Sequence, residues 1–382
     1  MPEFSLSEEQ TALRDLARKF AQTEMAPRAA ECDRSGRFPE EVYRKAWELG
    51  LMNLNIPQEY GGSGLGLFAQ CLIVEELARA CAGMTTSIAA NCLALEPVLI
   101  GGSPEQRQRI LAPFCAQYAL ASFCLTEPGG GSDAGGIATR ARKDGDHYLL
   151  TGEKCFITNA PHASLYTVFA TIDPELRHRG ICAFVVPSTT EGVTPGKDEE
   201  KMGHRASSTS TVSFDGAKVP AEQRLGPEGD GFRIAMETLD KTRTPIGALA
   251  VGIASAALDH AAAYALKRVS FGKAIAEHQA IQFKLANMAQ DLHAARWLVW
   301  HAAWKAEREG RAPLESSIAK CFASDAAMRI ADEAIQIFGG YGYMKEYPVE
   351  KLLRDAKLTQ IYEGSNEIQR LVIAKELLKQ YA

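Results

Sequence analysis

The chain has 382 residues, enough for two or three domains, with 46% hydrophobic and 23% charged residues and a net charge of −5. This composition excludes a disordered chain, and the weakly negative balance without a basic stripe argues against nucleic acid as a partner. The nine cysteines (Cys32, Cys71, Cys81, Cys92, Cys115, Cys124, Cys155, Cys182 and Cys321) show no C-x-x-C spacing, so they point to buried thiols in a reducing compartment and to no metal.

The first ten residues have neither a basic n-region nor an apolar stretch, so they do not read as a secretory signal. Charges break the apolar runs before the ~18 to 20 residues of a membrane span. A cytoplasmic protein, or the mature form of an organellar matrix protein, is expected. Residues 1–118 read as a helical domain. Ser7 and Gln10 have capping-box spacing ahead of Leu13, Leu16, Ala17 and Phe20 on one helical face. Pro39 opens a second helix, residues 58–66 form a glycine-rich loop, and an amphipathic pattern returns from Leu67 to Ala82.

The texture changes near Ala119. Over residues 119–229, short apolar runs at His147–Leu150, Cys155–Thr158, Leu165–Ile172, Ile181–Val186 and Ser210–Phe214 predict strands of a β-barrel or sandwich domain. Residues 230–382 read as a helical bundle of four or more helices, with breaks at Gly272, Gly310 and Gly339–Gly340. The fold expected is α+β and multidomain: helical, β, helical.

Three segments carry polar chemistry. Phe123-Cys-Leu-Thr-Glu-Pro-Gly-Gly-Gly-Ser-Asp133 combines hydroxyls with glycines that let backbone N–H groups approach a ligand; on its own it reads as a turn. Gln336-Ile-Phe-Gly-Gly340 reads alone as a helix C-cap. Neither a dinucleotide-binding G-x-G-x-x-G after a strand nor a P-loop is present. In Ile361-Tyr-Glu-Gly-Ser-Asn-Glu-Ile-Gln-Arg370, Glu363 lies between an aromatic residue and a glycine, where desolvation could make it a general base. Read alone, it is a solvated loop acid.

Together with Cys155-Phe-Ile-Thr-Asn159, Asp240-Lys-Thr-Arg-Thr-Pro245, Phe271-Gly-Lys273, Glu277-His-Gln-Ala-Ile281 and Tyr347-Pro-Val-Glu-Lys-Leu-Leu-Arg-Asp-Ala-Lys357, these segments form an ordered set spanning essentially the whole chain. The set resembles the acyl-CoA dehydrogenases, in particular their short- and medium-chain members. The resemblance implies an FAD-dependent step of fatty-acid β-oxidation: Glu363 takes the α-proton of an acyl-CoA while the β-hydrogen leaves as hydride to flavin N5, giving the trans-2-enoyl-CoA. Some relatives carry the base on a helix, at the position of Thr242 here, which cannot serve.

The resemblance further implies that Phe123, Leu125, Thr126, Gly131, Ser132, Phe156 and Thr158 flank the flavin, with Phe156 where many relatives have Trp. Arg268, Phe271, Gln279, Gln336, Gly339 and Gly340 match a grip on the FAD phosphates and adenosine from a neighbouring subunit, hence a homotetramer. Ser365 and Glu367 follow the base toward the flavin. Ser132, Asp240, Arg243, Tyr362, Gly364 and Lys375 match substrate contacts; Arg243 read alone is a helix-surface charge. Electrons pass to an electron-transferring flavoprotein. Alternative readings are a same-fold acyl-CoA oxidase, an enoyl-CoA reductase or a non-catalytic acyl-CoA binder; the length argues against typical oxidases, which carry a further C-terminal domain. Glu96, among apolar neighbours of the acyl pocket, faces solvent or meets a polar acyl end.

Overall fold

The computed structural model describes residues 5–381. Six helices come first: α1 (Glu8–Phe20), α2 (Ala26–Ser35), α3 (Glu40–Glu48), α4 (Leu67–Ala80), α5 (Ala82–Gly101) and α6 (Pro104–Ala116). The Ser7 hydroxyl accepts from Gln10 N at 3.1 Å while Ser7 N donates to Gln10 Oε1 at 3.0 Å, so two otherwise orphaned N–H groups of α1 are satisfied. Pro39 caps α3 as expected.

Eight strands follow: β1 (Leu120–Cys124), β2 (Arg140–Asp144), β3 (His147–Thr158), β4 (Ala163–Thr171), β5 (Ile181–Pro187), β6 (Val193–Pro195), β7 (Thr209–Pro220) and β8 (Arg224–Leu225). They form one sheet in the order β6-β7-β3-β2-β4-β5-β8, with β1 parallel to β4. Its two halves meet at the single pair Arg140–Thr171 and enclose one core, in which Tyr148, Leu150 and Val212 of one half lie with Tyr166, Phe184 and Val186 of the other. The runs expected at 147–150 and 155–158 are one strand, interrupted by bulges after Leu150 and after Lys154. The second bulge puts Phe156 at φ 58° and turns its ring outward, 69% exposed.

The chain then returns to helices: α7 (Gly231–Lys267), a small hairpin of β9 (Val269–Ser270) and β10 (Lys273–Ala274), α8 (Gln279–Glu309), α9 (Pro313–Phe338), α10 (Val349–Thr359) and α11 (Asn366–Leu378). Alanines line the buried faces of α7 (Ala250, Ala254, Ala257, Ala261) and α9 (Ala319, Ala323, Ala327, Ala331), so the two axes approach closely. Gly252 lets α7 press on α4: a Cβ there would lie 2.4 Å from Glu75 O.

Charges do not break every long apolar run. Helices α5 and α7 are long and apolar enough to cross a membrane, yet 72% of the apolar window of each is buried inside the protein, as in a core helix.

Candidate active site

Glu363 sits in the turn between α10 and α11, in the left-handed region at φ 51°, and is followed by Gly364 at φ 91°. Such backbone costs about 1–3 kcal/mol and persists only where its surroundings enforce it. Here the enforcement is visible. Lys320 Nζ of α9 donates to Gly364 O (2.8 Å) and to Asn366 Oδ1 (3.0 Å), Gln369 Nε2 donates to Gly364 O (3.0 Å), and Asn366 N closes the turn on Gln360 O (2.9 Å). The Thr242 hydroxyl of α7 donates to Glu363 Oε2 at 2.7 Å. Burial raises the Glu363 carboxyl to about 7, against the pull of the Thr242 hydrogen bond and the charges of Arg243 and Lys320. Tyr362 packs edge-on to His204, ring centroids 5.9 Å apart.

Glu363 opens on a cavity of about 430 Å³ between α4, α5 and α7, whose walls include Ile73, Leu77, Ile88, Pro245 and Ile246. Glu96 does not face solvent: it is 4% exposed and accepts from Lys241 Nζ (2.6 Å) and Asn55 Nδ2 (2.7 Å), so its charge is matched inside the cavity wall. Arg243 is 5% exposed, which rules out the reading as a helix-surface charge. Its Nη1 donates to Ser317 Oγ (3.0 Å) and lies 3.3 Å from Asp240, which in turn binds Arg311 at 2.5 Å.

The glycine-rich segment is held from below. Glu127 accepts from Ala138 N (2.5 Å), Thr139 N (2.9 Å) and the buried Lys154 Nζ (2.7 Å), and Lys154 also donates to Leu125 O (3.1 Å). Cys155 N bonds Thr126 O (3.0 Å), which sets the half-buried Thr126 and Thr158 beside the exposed Phe156. Leu125 is buried and Phe123 half-buried against Phe169, while Gly131 and Ser132 lie on the open surface.

A second neighbourhood gathers other predicted residues. Arg268, Phe271, Gln279, Gln336, Gly339 and Gly340 are all exposed. The Arg268 guanidinium lies 5.6 Å from the Tyr341 ring centroid, and Phe271, at φ 52° and 94% exposed, meets His278 edge-on. Among the described residues no hydrogen bond, ion pair or ring contact joins this neighbourhood to Phe156. Ser365 stands at the N-cap position of α11, and the N–H of Glu367 together with the Ser365 hydroxyl holds the exposed Glu367 carboxyl below its usual range. Lys375 is exposed on α11, and no such contact ties it to the others.

The chain matches the N-terminal, middle and C-terminal domains of acyl-CoA dehydrogenase over residues 7–117, 122–217 and 229–378. It is 48% identical over 378 residues, covering 98% of this chain and 92% of the relative, to the mitochondrial short-chain specific acyl-CoA dehydrogenase of Bos taurus. Among solved structures it superposes with a TM-score of 0.96 on butyryl-CoA dehydrogenase from Megasphaera elsdenii (44% identical, 99% of this chain and 100% of that one). It superposes equally well, at 42% identity over 99% and 100% of the two chains, on a chain solved under the heading of the electron transferring flavoprotein of Acidaminococcus fermentans.

The protein belongs to the acyl-CoA dehydrogenase family. It is accordingly an FAD-dependent oxidoreductase acting on acyl-CoA. The surface fits that cofactor. Phe156 offers an exposed apolar face beside two hydroxyls, as a planar ring needs. Gly339 and Gly340 leave open space above their backbone next to the Arg268 cation, as a diphosphate needs.

Proposed function

We propose that Glu363 removes the α-proton of a bound acyl-CoA, giving the trans-2-enoyl-CoA, and that the electrons pass on to an electron-transferring flavoprotein. The observation that carries this reading is the state of the three carboxylates lining the cavity. Glu96 is committed to Lys241 and Asn55, and Glu307 caps α4 by accepting from Phe68 N at 2.7 Å. Glu363 accepts only from the neutral Thr242 hydroxyl, through one oxygen, and its affinity for a proton suits a base working near neutral pH.

Among the described residues none accepts from the backbone N–H of Glu363, so it is available to the thioester carbonyl. Charge developing on that oxygen is then met by a fixed donor in a cavity from which the acyl chain expels water. Thr242 holds one carboxylate oxygen, which leaves the other to take the proton. Bound FAD would supply the acceptor for the β-hydrogen as hydride. On this reading Phe123, Leu125, Thr126, Phe156 and Thr158 face its ring, with Gly131 and Ser132 at the rim and Ser365 and Glu367 beyond the base. Asp240, Arg243, Tyr362, Gly364 and Lys375 surround the substrate thioester and CoA. The separation of the Arg268 neighbourhood from Phe156 supports a grip on FAD by a second subunit, hence a homotetramer, and we place the enzyme in the cytoplasm or an organellar matrix.

The names of the bovine and Megasphaera relatives favour short straight acyl groups. The test is anaerobic mixing with straight, branched and dicarboxylyl thioesters, followed by reoxidation. Short straight acyl-CoAs should bleach the flavin fastest, and electron-transferring flavoprotein should reoxidise it far faster than dioxygen. No bleaching with any thioester would contradict the reading, and reoxidation by dioxygen at the same rate would make the protein an oxidase.

A further inference from the structure

Helix α9 turns a face of small residues inward: Ser316, Ala319, Ala323 and Ala327 are all buried. Lys320 falls on that face and has no exposed surface. A buried ammonium is costly unless its charge is matched. The two other buried cations of the described residues each have a carboxylate, Lys154 with Glu127 at 2.7 Å and Arg243 with Asp240 at 3.3 Å. Lys320 has none within ion-pair distance. Its acceptors are the Gly364 carbonyl and the Asn366 side chain, both uncharged and both within three residues of Glu363. The carboxylate that stabilises its charge most through space is Glu363 itself.

We infer that Lys320 is a positioning residue for proton abstraction: its ammonium clamps the Gly364 carbonyl, which fixes the strained turn that aims Glu363 into the cavity, and its charge serves as the counter-ion that keeps Glu363 ionised once acyl-CoA has displaced water. The inference rests on Glu363 being the base. The surrounding groups single out Lys320. From α7, Thr242 offers a neutral hydroxyl, and Arg243 favours the Glu363 carboxylate more strongly than Lys320 does, but its charge is shared with Asp240, itself bound to Arg311. From the turn, burial keeps the Tyr362 phenol protonated. Beside Lys320 on α9, burial raises the Cys321 thiol, and Asp325 is bound by Arg370 (2.8 Å), Gln360 (2.6 Å) and Asn366 (2.7 Å). Among the described residues, Lys320 is therefore the one cation acting on Glu363 without a carboxylate of its own. Burial lowers its ammonium to about 8, so it still carries its charge at neutral pH.

The experiment uses the FAD-loaded enzyme with Lys320→Gln, which keeps a donor for Gly364 but loses the charge; Lys320→Met, which loses both; and Lys320→Arg, which keeps the charge. Two quantities are followed against pH: the anaerobic flavin-reduction rate at saturating acyl-CoA, and the carboxyl band of Glu363 in the infrared difference between each protein and its Glu363→Gln counterpart. Removing a nearby positive charge makes a carboxyl harder to ionise, so in Lys320→Gln the acid limb and the band titration should both move up by about one pH unit. That is roughly a tenfold rate loss one unit below the limb. Lys320→Met should move the limb equally and also lower the plateau, because the turn loses its clamp, whereas Lys320→Arg should titrate near the parent. Limbs and bands unmoved in Lys320→Gln and Lys320→Met would overturn the inference, whatever the plateau rates. If Lys320→Met does not fold, Lys320→Gln against Lys320→Arg decides. Glu363→Gln in the parent separates the two readings: if it still reduces flavin at the parental rate, the base assignment is what has failed.

Discussion

Glu96 and Lys241 set the polarity of the acyl cavity with two side chains of opposite charge and unequal exposure, 6% and 51%. The carboxylate therefore carries most of the desolvation, and Lys241 can turn to water if its partner is lost. Glu96→Leu should thus cost about 1–3 kcal/mol, chiefly by taking from Asn55 Nδ2 the shorter of its two hydrogen bonds and leaving it only Cys92 O. It should also shift relative kcat/KM toward longer apolar acyl chains, since a charge is removed from the wall. Denaturant unfolding and the acyl-CoA panel measure the two effects, and unchanged chain-length preference would show that Glu96 lies outside the acyl path. At this scale the sequence marked Glu363 by its aromatic and glycine neighbours and by its place in an ordered motif set. It did not mark Lys320 or Lys154. A signal existed for both. Lys154 continues the inward alternation of Tyr148 and Leu150, and Lys320 stands four residues after Ser316 and three before Ala323 on a face of small residues. A charge at an inward position implies a partner, but which partner depends on elements distant in sequence.

Among the elements, β3 and the segment after β1 act as one unit because a buried ion pair joins them. Lys154 Nζ spans Leu125 O and Glu127, and so fixes both ends of the backbone around Thr126. Lys154→Met should destabilise the protein by about 3–5 kcal/mol, since Glu127 is left charged and buried. Flavin content after gel filtration should fall with it; full flavin retention at unchanged unfolding midpoint would contradict this role. The long helices were legible from their periodicity and breaks, and α8 (Gln279–Glu309) lies between the breaks expected at Gly272 and Gly310. Strand β2 was not legible. Its sequence, Arg-Ala-Arg-Lys-Asp, offers one buried residue, Ala141, and no apolar alternation. Pairing to β3 across the two-residue turn Gly145–Asp146 makes it a strand.

For the whole molecule, the exposed apolar groups are informative. Phe271 (94%), Leu266 (71%) and Val269 (61%) crowd the end of α7 and the β9–β10 hairpin, next to Arg268. Surfaces of this kind mark an interface. A cofactor shared between subunits links its binding to assembly by mass action. Arg268→Ala should therefore lower both flavin content and the tetramer fraction, and added FAD should restore part of the assembly. Size-exclusion chromatography with and without FAD is the check; unchanged assembly with unchanged flavin would remove the shared-site proposal.

The central claim is that Glu363 is the base, and one measurement tests it most directly: anaerobic stopped-flow bleaching of the flavin by a saturating acyl-CoA in Glu363→Gln. Gln is nearly isosteric with Glu and can still accept from Thr242, so flavin and acyl-CoA binding should persist. It cannot take the α-proton, and a general base contributes on the order of 10² to 10⁴ in rate. The other two carboxylates lining the cavity are each tied to a donor, Glu96 to Lys241 and Asn55 and Glu307 to Phe68 N, so the loss should reach the upper part of that range. The parent should show an acid limb near pH 7, where the Glu363 carboxyl titrates, with the rate falling as pH drops through it. Bleaching by Glu363→Gln within a few-fold of the parental rate, or with the same acid limb, would contradict the assignment and the placement of the active site with it.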